Sequence, residues 1–328
     1  MANDPPPPDD RDAPKETAAS KYRRRQLERQ LGPTQFLDMA PPLAVDTLWR
    51  GLARSGEARV LVVRATAAVR EAAARLQASP DVAGLLGELI LAGLLVRSTL
   101  NPEARLQLYL RHDGPVGTVV VDVWDGGGVR AYAKVPTATR ELGGELIGSG
   151  LMEVARTQAA TAKSWRSTVA LHGGAVDAIL GRYLRESEQV LSLLHTEVAL
   201  QGGEIASAVG WLVQLMPEGT REDLARVTAN HAGIGALQAA MTAADPDGRA
   251  WAEALLAGFR WDQCARELVA YECRCSEARV LAMLATLPED DLRELAGSAE
   301  PLEMTCDFCK TRYHVATARV AALLERPS

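Results

Sequence analysis

Tyr271-Glu272-Cys273-Arg274-Cys275-Ser276 and Met304-Thr305-Cys306-Asp307-Phe308-Cys309 carry four of the chain's five cysteines, with 30 residues between Cys275 and Cys306. Two close pairs of thiols in one short region point to a tetrahedral metal site. Zinc prefers soft sulfur ligands at about 2.3 Å, and a closed four-coordinate site is structural rather than catalytic. The candidate ligands are therefore Cys273, Cys275, Cys306 and Cys309, with one zinc ion as cofactor. The intervening segment suits a closed loop. Val280, Leu281, Leu284 and Leu287 make a helical stripe. Leu287-Pro288 ends that helix and opens another, whose first turn sets Glu289, Asp290 and Asp291 against the positive end of the helix dipole. Gly297 closes it. A unit of about 60 residues is too small for a self-sufficient core, so a metal staple is the expected solution.

The single spacer of Cys273-Arg274-Cys275 leaves a strained short-loop disulfide as the alternative state of that pair, which makes a redox switch physically reasonable. Arg274, Arg279, Lys310 and Arg312 lie nearby in sequence, and positive charge favours the reactive thiolate. A thioredoxin-like pair would need a βαβ setting that this region lacks. His314 is expected beside the ligand set rather than in it, and Cys264 is left over on an expected helix as a buried or idle thiol.

Upstream, 222–268 reads as helical, with breaks at Gly233, Gly235 and Asp245-Pro246-Asp247-Gly248. So many breakers and so few aromatics predict a marginally stable segment. Order begins near Asp46. A strand at 58–63 precedes a helix at 66–77. Ser79-Pro80-Asp81 starts a helix running through Ser98 that is apolar nearly all round and should be buried. Glu88 is its one misplaced polar residue, expected as a partnered core carboxylate. Leu106, Leu108 and Leu110 alternate with polar neighbours, and Asp113-Gly114-Pro115 is a turn. Strands at 119–124 and 129–135 flank the turn Asp125-Gly126-Gly127-Gly128. Further strands are expected at 151–157, 164–171, 198–200 and 210–215, with a helix at 175–186. Residues 1–44, opening with Pro5-Pro6-Pro7-Pro8, read as a disordered proline-rich tail. The predicted fold class is α+β: tail 1–44, mixed α/β N-terminal domain 45–217, helical linker 218–268 and small C-terminal zinc-binding domain 269–328.

Composition narrows the function. The chain has 328 residues and a net charge of −6, so no overall basic field invites nucleic acid. Its longest apolar stretch is broken by Glu88, short of the roughly 20 residues a membrane span needs. No signal peptide is evident, so the expected compartment is the cytoplasm, where thiols stay reduced. A nucleic-acid-binding zinc module is the alternative suggested by Lys310, Arg312, Tyr313 and His314, but Glu289, Asp290, Asp291, Glu294, Glu300 and Glu303 oppose it. No enzyme is expected. Gly148-Ser149-Gly150 lacks the spacing of a nucleophile elbow, and Gly126-Gly127-Gly128 lacks a phosphate-loop lysine. His112, His172, His195 and His231 show no partner pattern.

The chain resembles the heat shock protein 33 family of redox-regulated holdase chaperones, whose hallmark is this Cys-x-Cys and Cys-x-x-Cys arrangement at this interval. The likeness continues through Leu287-Pro288-Glu289-Asp290, His112-Asp113-Gly114-Pro115, Leu146-Ile147-Gly148-Ser149-Gly150, Ser187-Glu188-Gln189 and Gln214-Leu215-Met216-Pro217. The resemblance implies zinc on all four cysteines in the reduced, inactive form. It implies oxidation to the neighbouring disulfides Cys273–Cys275 and Cys306–Cys309, loss of zinc, and unfolding of the zinc domain and linker. Apolar surface then binds unfolding client proteins without ATP, in a form that pairs as a homodimer. The proline-rich tail, Ser167-Thr168, Val190-Leu191 and Ala208-Val209-Gly210 depart from the family pattern.

Overall fold

The computed structural model describes residues 45–324 except 55, 102, 141–143, 159–160, 162 and 235–248, and excludes the side chains of Gln263 and Cys264. The tail 1–44, the breaks at Gly235 and 245–248, and the Cys264 thiol lie outside the described residues. The first half of the chain runs β1 (Thr47–Ala53), β2 (Ala58–Arg64), α1 (Thr66–Leu76), α2 (Pro80–Arg97), β3 (Ala104–His112), β4 (Val119–Val123), β5 (Gly128–Ala133), β6 (Ser149–Gln158) and β7 (Ser164–His172). The second half runs α3 (Val176–Glu186), β8 (Ser192–Gln201), β9 (Glu204–Leu215), α4 (Arg221–Ile234), α5 (Arg249–Leu255), β10 (Trp261–Leu268) and β11 (Ala270–Tyr271). The C-terminal module follows: α6 (Glu277–Leu284), α7 (Glu289–Ala296), β12 (Leu302–Thr305), β13 (Arg312–Val315) and α8 (Thr317–Leu324). This is the α+β architecture expected.

Two sheets face each other, ordered β10-β1-β2-β9-β8 and β11-β5-β4-β3-β6-β7. Helices α1, α2 and α3 each touch both sheets and fill the space between them. The all-round apolar character of α2 is thereby explained, since β8 and β9 cover one side and β3, β4 and β5 the other. Ser79 caps it, its side chain accepting from the Val82 N–H, with Pro80 at the start. Gly87 is required there, because a Cβ would stand 2.6 Å from Val198 of β8. Asp46 is buried and its Oδ2 accepts from the Ala68 N–H at 2.7 Å, satisfying the start of α1.

A second core lies on the outer face of the five-stranded sheet. Trp49, Val60, Val62, Trp211 and Val213 of the sheet meet Val227 and Ile234 of α4 and Trp251, Ala252 and Leu255 of α5. Helices α4 and α5 therefore cover an apolar sheet face.

Helix across all of 222–268 is not what the structure contains. Helices occupy Arg221–Ile234 and Arg249–Leu255, but Trp261–Leu268 is strand β10, antiparallel to β1. Its Ala, Arg, Glu and Leu favour helix locally. Pairing with β1 overrides that preference, helped by Trp261 against Trp49 (ring centroids 5.5 Å apart) and Glu267 between Arg50 (3.6 Å) and Arg97 (3.9 Å). The strands expected at 198–200 and 210–215 are parts of the longer hairpin β8–β9.

Candidate metal centre

The path from β10 to β11 positions the site. After Leu268 the chain leaves the five-stranded sheet and joins the other, Ala270 and Tyr271 pairing in parallel with Gly128 and Val129 of β5. Gly127 (φ +70) allows this crossing, because a Cβ there would stand 2.1 Å from the Leu268 carbonyl oxygen. The Glu272 N–H donates to the Val129 carbonyl at 2.8 Å, which delivers Cys273 and Cys275 to the edge of β5. The other two cysteines sit in the turn of the β12–β13 hairpin. There the Cys306 N–H donates to the Thr311 carbonyl, and the Lys310 N–H to the Cys306 carbonyl. Lys310 takes the left-handed conformation that closes the turn.

The four Sγ atoms all lie within 4.8 Å of one another, and the cysteines are unpaired. Cys273 Sγ is 3.7 Å from Cys306 Sγ, and Cys275 Sγ is 3.3 Å from Cys309 Sγ. Sulfurs about 2.3 Å from a shared tetrahedral ion would stand about 3.8 Å apart, so this donor set fits zinc. Protonation divides the cluster. Burial pushes the Cys275 thiol up to about 12 and also raises Cys306. Burial pushes Cys309 the same way, but hydrogen bonds from Thr311 outweigh it and bring that thiol down to about 6. A divalent cation would remove this conflict, since it favours four thiolates at once.

The surroundings come from the N-terminal domain as much as from the module. Tyr313 Oη donates to Cys275 Sγ at 3.0 Å, and Tyr271 Oη to the Phe308 carbonyl at 3.1 Å. Arg75 of α1 donates to the Cys309 carbonyl at 3.3 Å, with its guanidinium 5.3 Å from the Tyr271 ring centroid. Arg130 of β5 donates to Cys273 Sγ at 3.5 Å. Sequence reasoning missed both arginines. Arg130 lies 143 residues before the cysteine it meets, inside a strand that gives no sign of it. Three of the four cations expected from proximity are placed elsewhere: Arg274 against Asp125 and Trp124, Lys310 over Tyr132, and Arg312 against Glu303. A cleft of about 660 Å³ opens beside the cluster, lined in part by Arg75, Tyr271, Cys273, Cys275, Cys309 and Tyr313.

His314 is exposed on β13 and outside the four-sulfur group, as expected. His172 is exposed at the end of β7, and the other three histidines have local partners. His112 Nδ1 accepts from the N–H groups of Gly114 (3.1 Å) and Gly148 (3.3 Å), stapling two turns. His231 Nδ1 accepts from Trp211 Nε1, and His195 Nδ1 is 3.0 Å from Asp177. Glu88 has Arg140 and His195 as neighbouring cations and Asp177 as a like charge. Among the described helices none is long and apolar enough to cross a membrane.

Fold and site together define an α+β protein of two facing sheets with a four-thiol module docked on a sheet edge. Residues 46–316 match the family model described as Hsp33 protein. A 33 kDa chaperonin of Thermus thermophilus is 31% identical over 294 residues, covering 84% of this chain and 85% of that one. A 33 kDa chaperonin of Streptococcus pneumoniae is 28% identical over 282 residues, covering 82% and 95%. The crystal structure of the 33 kDa chaperonin (heat shock protein 33 homolog) from Thermotoga maritima superposes with a TM-score of 0.74 at 22% identity, over 85% of this chain and 98% of that one, and so shares the fold. The chain belongs to the Hsp33 family. It is a chaperone by family and not an enzyme.

Proposed function

We propose that Cys273, Cys275, Cys306 and Cys309 hold one zinc ion in the reduced protein and act as the redox switch of an ATP-independent holdase. The observation carrying this reading is the convergence of four Sγ atoms within 4.8 Å in a module whose apolar cluster, among the described residues, has four buried side chains, Leu284, Leu292, Val315 and Val320. So small a core needs a staple. Bound zinc supplies the positive charge that keeps four thiolates together.

The chain's own residues do the rest. Peroxide takes two electrons from each pair of thiolates. With two protons it becomes two waters, and one sulfur–sulfur bond forms. Two equivalents convert the cluster to the disulfides Cys273–Cys275 and Cys306–Cys309, following the family resemblance. Sulfurs so joined no longer serve as thiolate ligands, and the module loses its staple. Strand β11 ends two residues before Cys273 and follows directly on β10, which in turn follows the linker helices, so loosening the module loosens the linker. Trp49, Trp211 and Val213 on the sheet face beneath then become available to unfolding proteins. In this reading the oxidised form pairs as a homodimer, acts in the cytoplasm, and engages neither nucleic acid nor membrane.

The test is suppression of client aggregation under mild heat, before and after peroxide. We expect the oxidised, metal-free protein to suppress aggregation and the reduced protein not to. Equal suppression by both would refute the switch.

A further inference from the structure

Arg130 joins the N-terminal sheet to both halves of the sulfur cluster. Its Nε and Nη2 donate to Asp122 Oδ2 at 3.2 and 3.0 Å, and Asp122 is fully buried. The same carboxylate takes two bonds of 2.6 Å from Arg105. Asp122 thus fixes the plane of the Arg130 guanidinium and leaves Nη1 free to reach Cys273 Sγ. One face of that guanidinium lies 3.8 Å from the centroid of Phe308, inside the Cys306-Asp307-Phe308-Cys309 turn, and Trp124 lies 5.3 Å away. One side chain therefore touches the sulfur of the first pair and the aromatic ring of the second. The Arg130 side chain is only 14% exposed. Asp122 offsets that charge, and the Nη1 donor beyond the pair is the part that reaches the sulfur.

We propose that Arg130 is a positioning residue of the switch, whose charge-assisted hydrogen bond damps the reactivity of Cys273 towards peroxide and so sets the oxidation threshold from the N-terminal sheet. This rests on the metal-switch reading above. A sulfur that accepts an N–H bond holds its electron pairs more tightly, as hydrogen bonds to cluster sulfurs do in iron–sulfur proteins. When Cys273 and Cys275 lose two electrons to peroxide and join, the sulfur charge is gone and Arg130 keeps only Asp122. The contact that docked the module is weakened by the same step that oxidises it.

The test uses the full reduced, metal-loaded chain with three substitutions. Arg130→Met keeps an unbranched stem over Phe308 but removes the donor. Arg130→Lys keeps the charge. Tyr132→Leu weakens docking at Phe308, 6.0 Å from the Tyr132 ring, without touching the sulfur. Peroxide-driven zinc release is followed with a metal-binding dye, and the cobalt-loaded proteins give the thiolate-to-metal charge-transfer band. Arg130→Met should bind one metal ion yet release zinc about tenfold faster, the scale of one lost charge-assisted bond. Its band should move to lower energy. Arg130→Lys should sit near the parent in both readouts, and Tyr132→Leu should leave the band in place. The inference is overturned if Arg130→Met matches the parent, or if Tyr132→Leu accelerates release equally while neither variant moves the band. A parent chain that bound no metal would refute the switch reading itself.

Discussion

Glu88 lies on α2 between the two sheets, where burial, and then the like charge of Asp177, push its carboxyl up to about 7. Its folded-state value is above the unfolded one, so the folded protein holds this proton more tightly. The associated stability is present below about pH 4.5 and is lost as pH rises through about 7. Glu88→Gln removes the ionisation penalty. In denaturant melts at about pH 8 the variant should gain more than about 1 kcal/mol over the parent, and at about pH 5 much less. An equal gain at both pH values would show that burial does not govern this carboxyl. At this scale the cysteines were the legible part of the site, because ligand spacing is a local property of sequence. Arg130 and Arg75 were not, because their meeting with the cluster is made by strand pairing and helix packing far from residues 273–309.

Among the elements, α4 and α5 cover the apolar sheet face that the proposed function exposes. Trp251 of α5 is 2% exposed, its ring 4.8 Å from Trp211 on β9, at the centre of the apolar layer that α4 and α5 place over the sheet. Trp251→Ala should destabilise that docking by about 3–5 kcal/mol. Limited proteolysis of the reduced protein should then cut within 221–255 without oxidant, while bound metal and thiol count stay at parental values. A cleavage pattern identical to the parent would contradict the assignment of these helices as the cover. The helices α1, α2, α3 and α6 and most strands were readable from periodicity and caps, since Ser79-Pro80 and alternating Leu106, Leu108 and Leu110 act locally. Trp261–Leu268 was not, because its composition favours helix and only β1 makes it a strand. Strand β1 itself, Thr-Leu-Trp-Arg-Gly-Leu-Ala, has no clean alternation, and its burial comes from neighbours on both sides.

Over the whole molecule, one continuous run from β10 through β11 to Cys273 ties the linker strand, the second sheet and the sulfur cluster together. In the proposed switch, that run is the path from oxidation at four sulfurs to the cover on the outer face of the five-stranded sheet. The α+β class was legible in the alternation of strand and helix signals, whereas the order of the two sheets depends on pairings that no local pattern encodes. The central claim is that the cluster holds a metal ion that keeps the C-terminal module folded. Metal content, free thiols and backbone amide protection in 277–324, measured on the same sample before and after peroxide, test it most directly. The account predicts one zinc per chain with five reactive thiols on denaturation at the start, then no zinc, one thiol and lost protection. Freshly reduced protein that carries no metal ion, yet protects 277–324 fully, would contradict it.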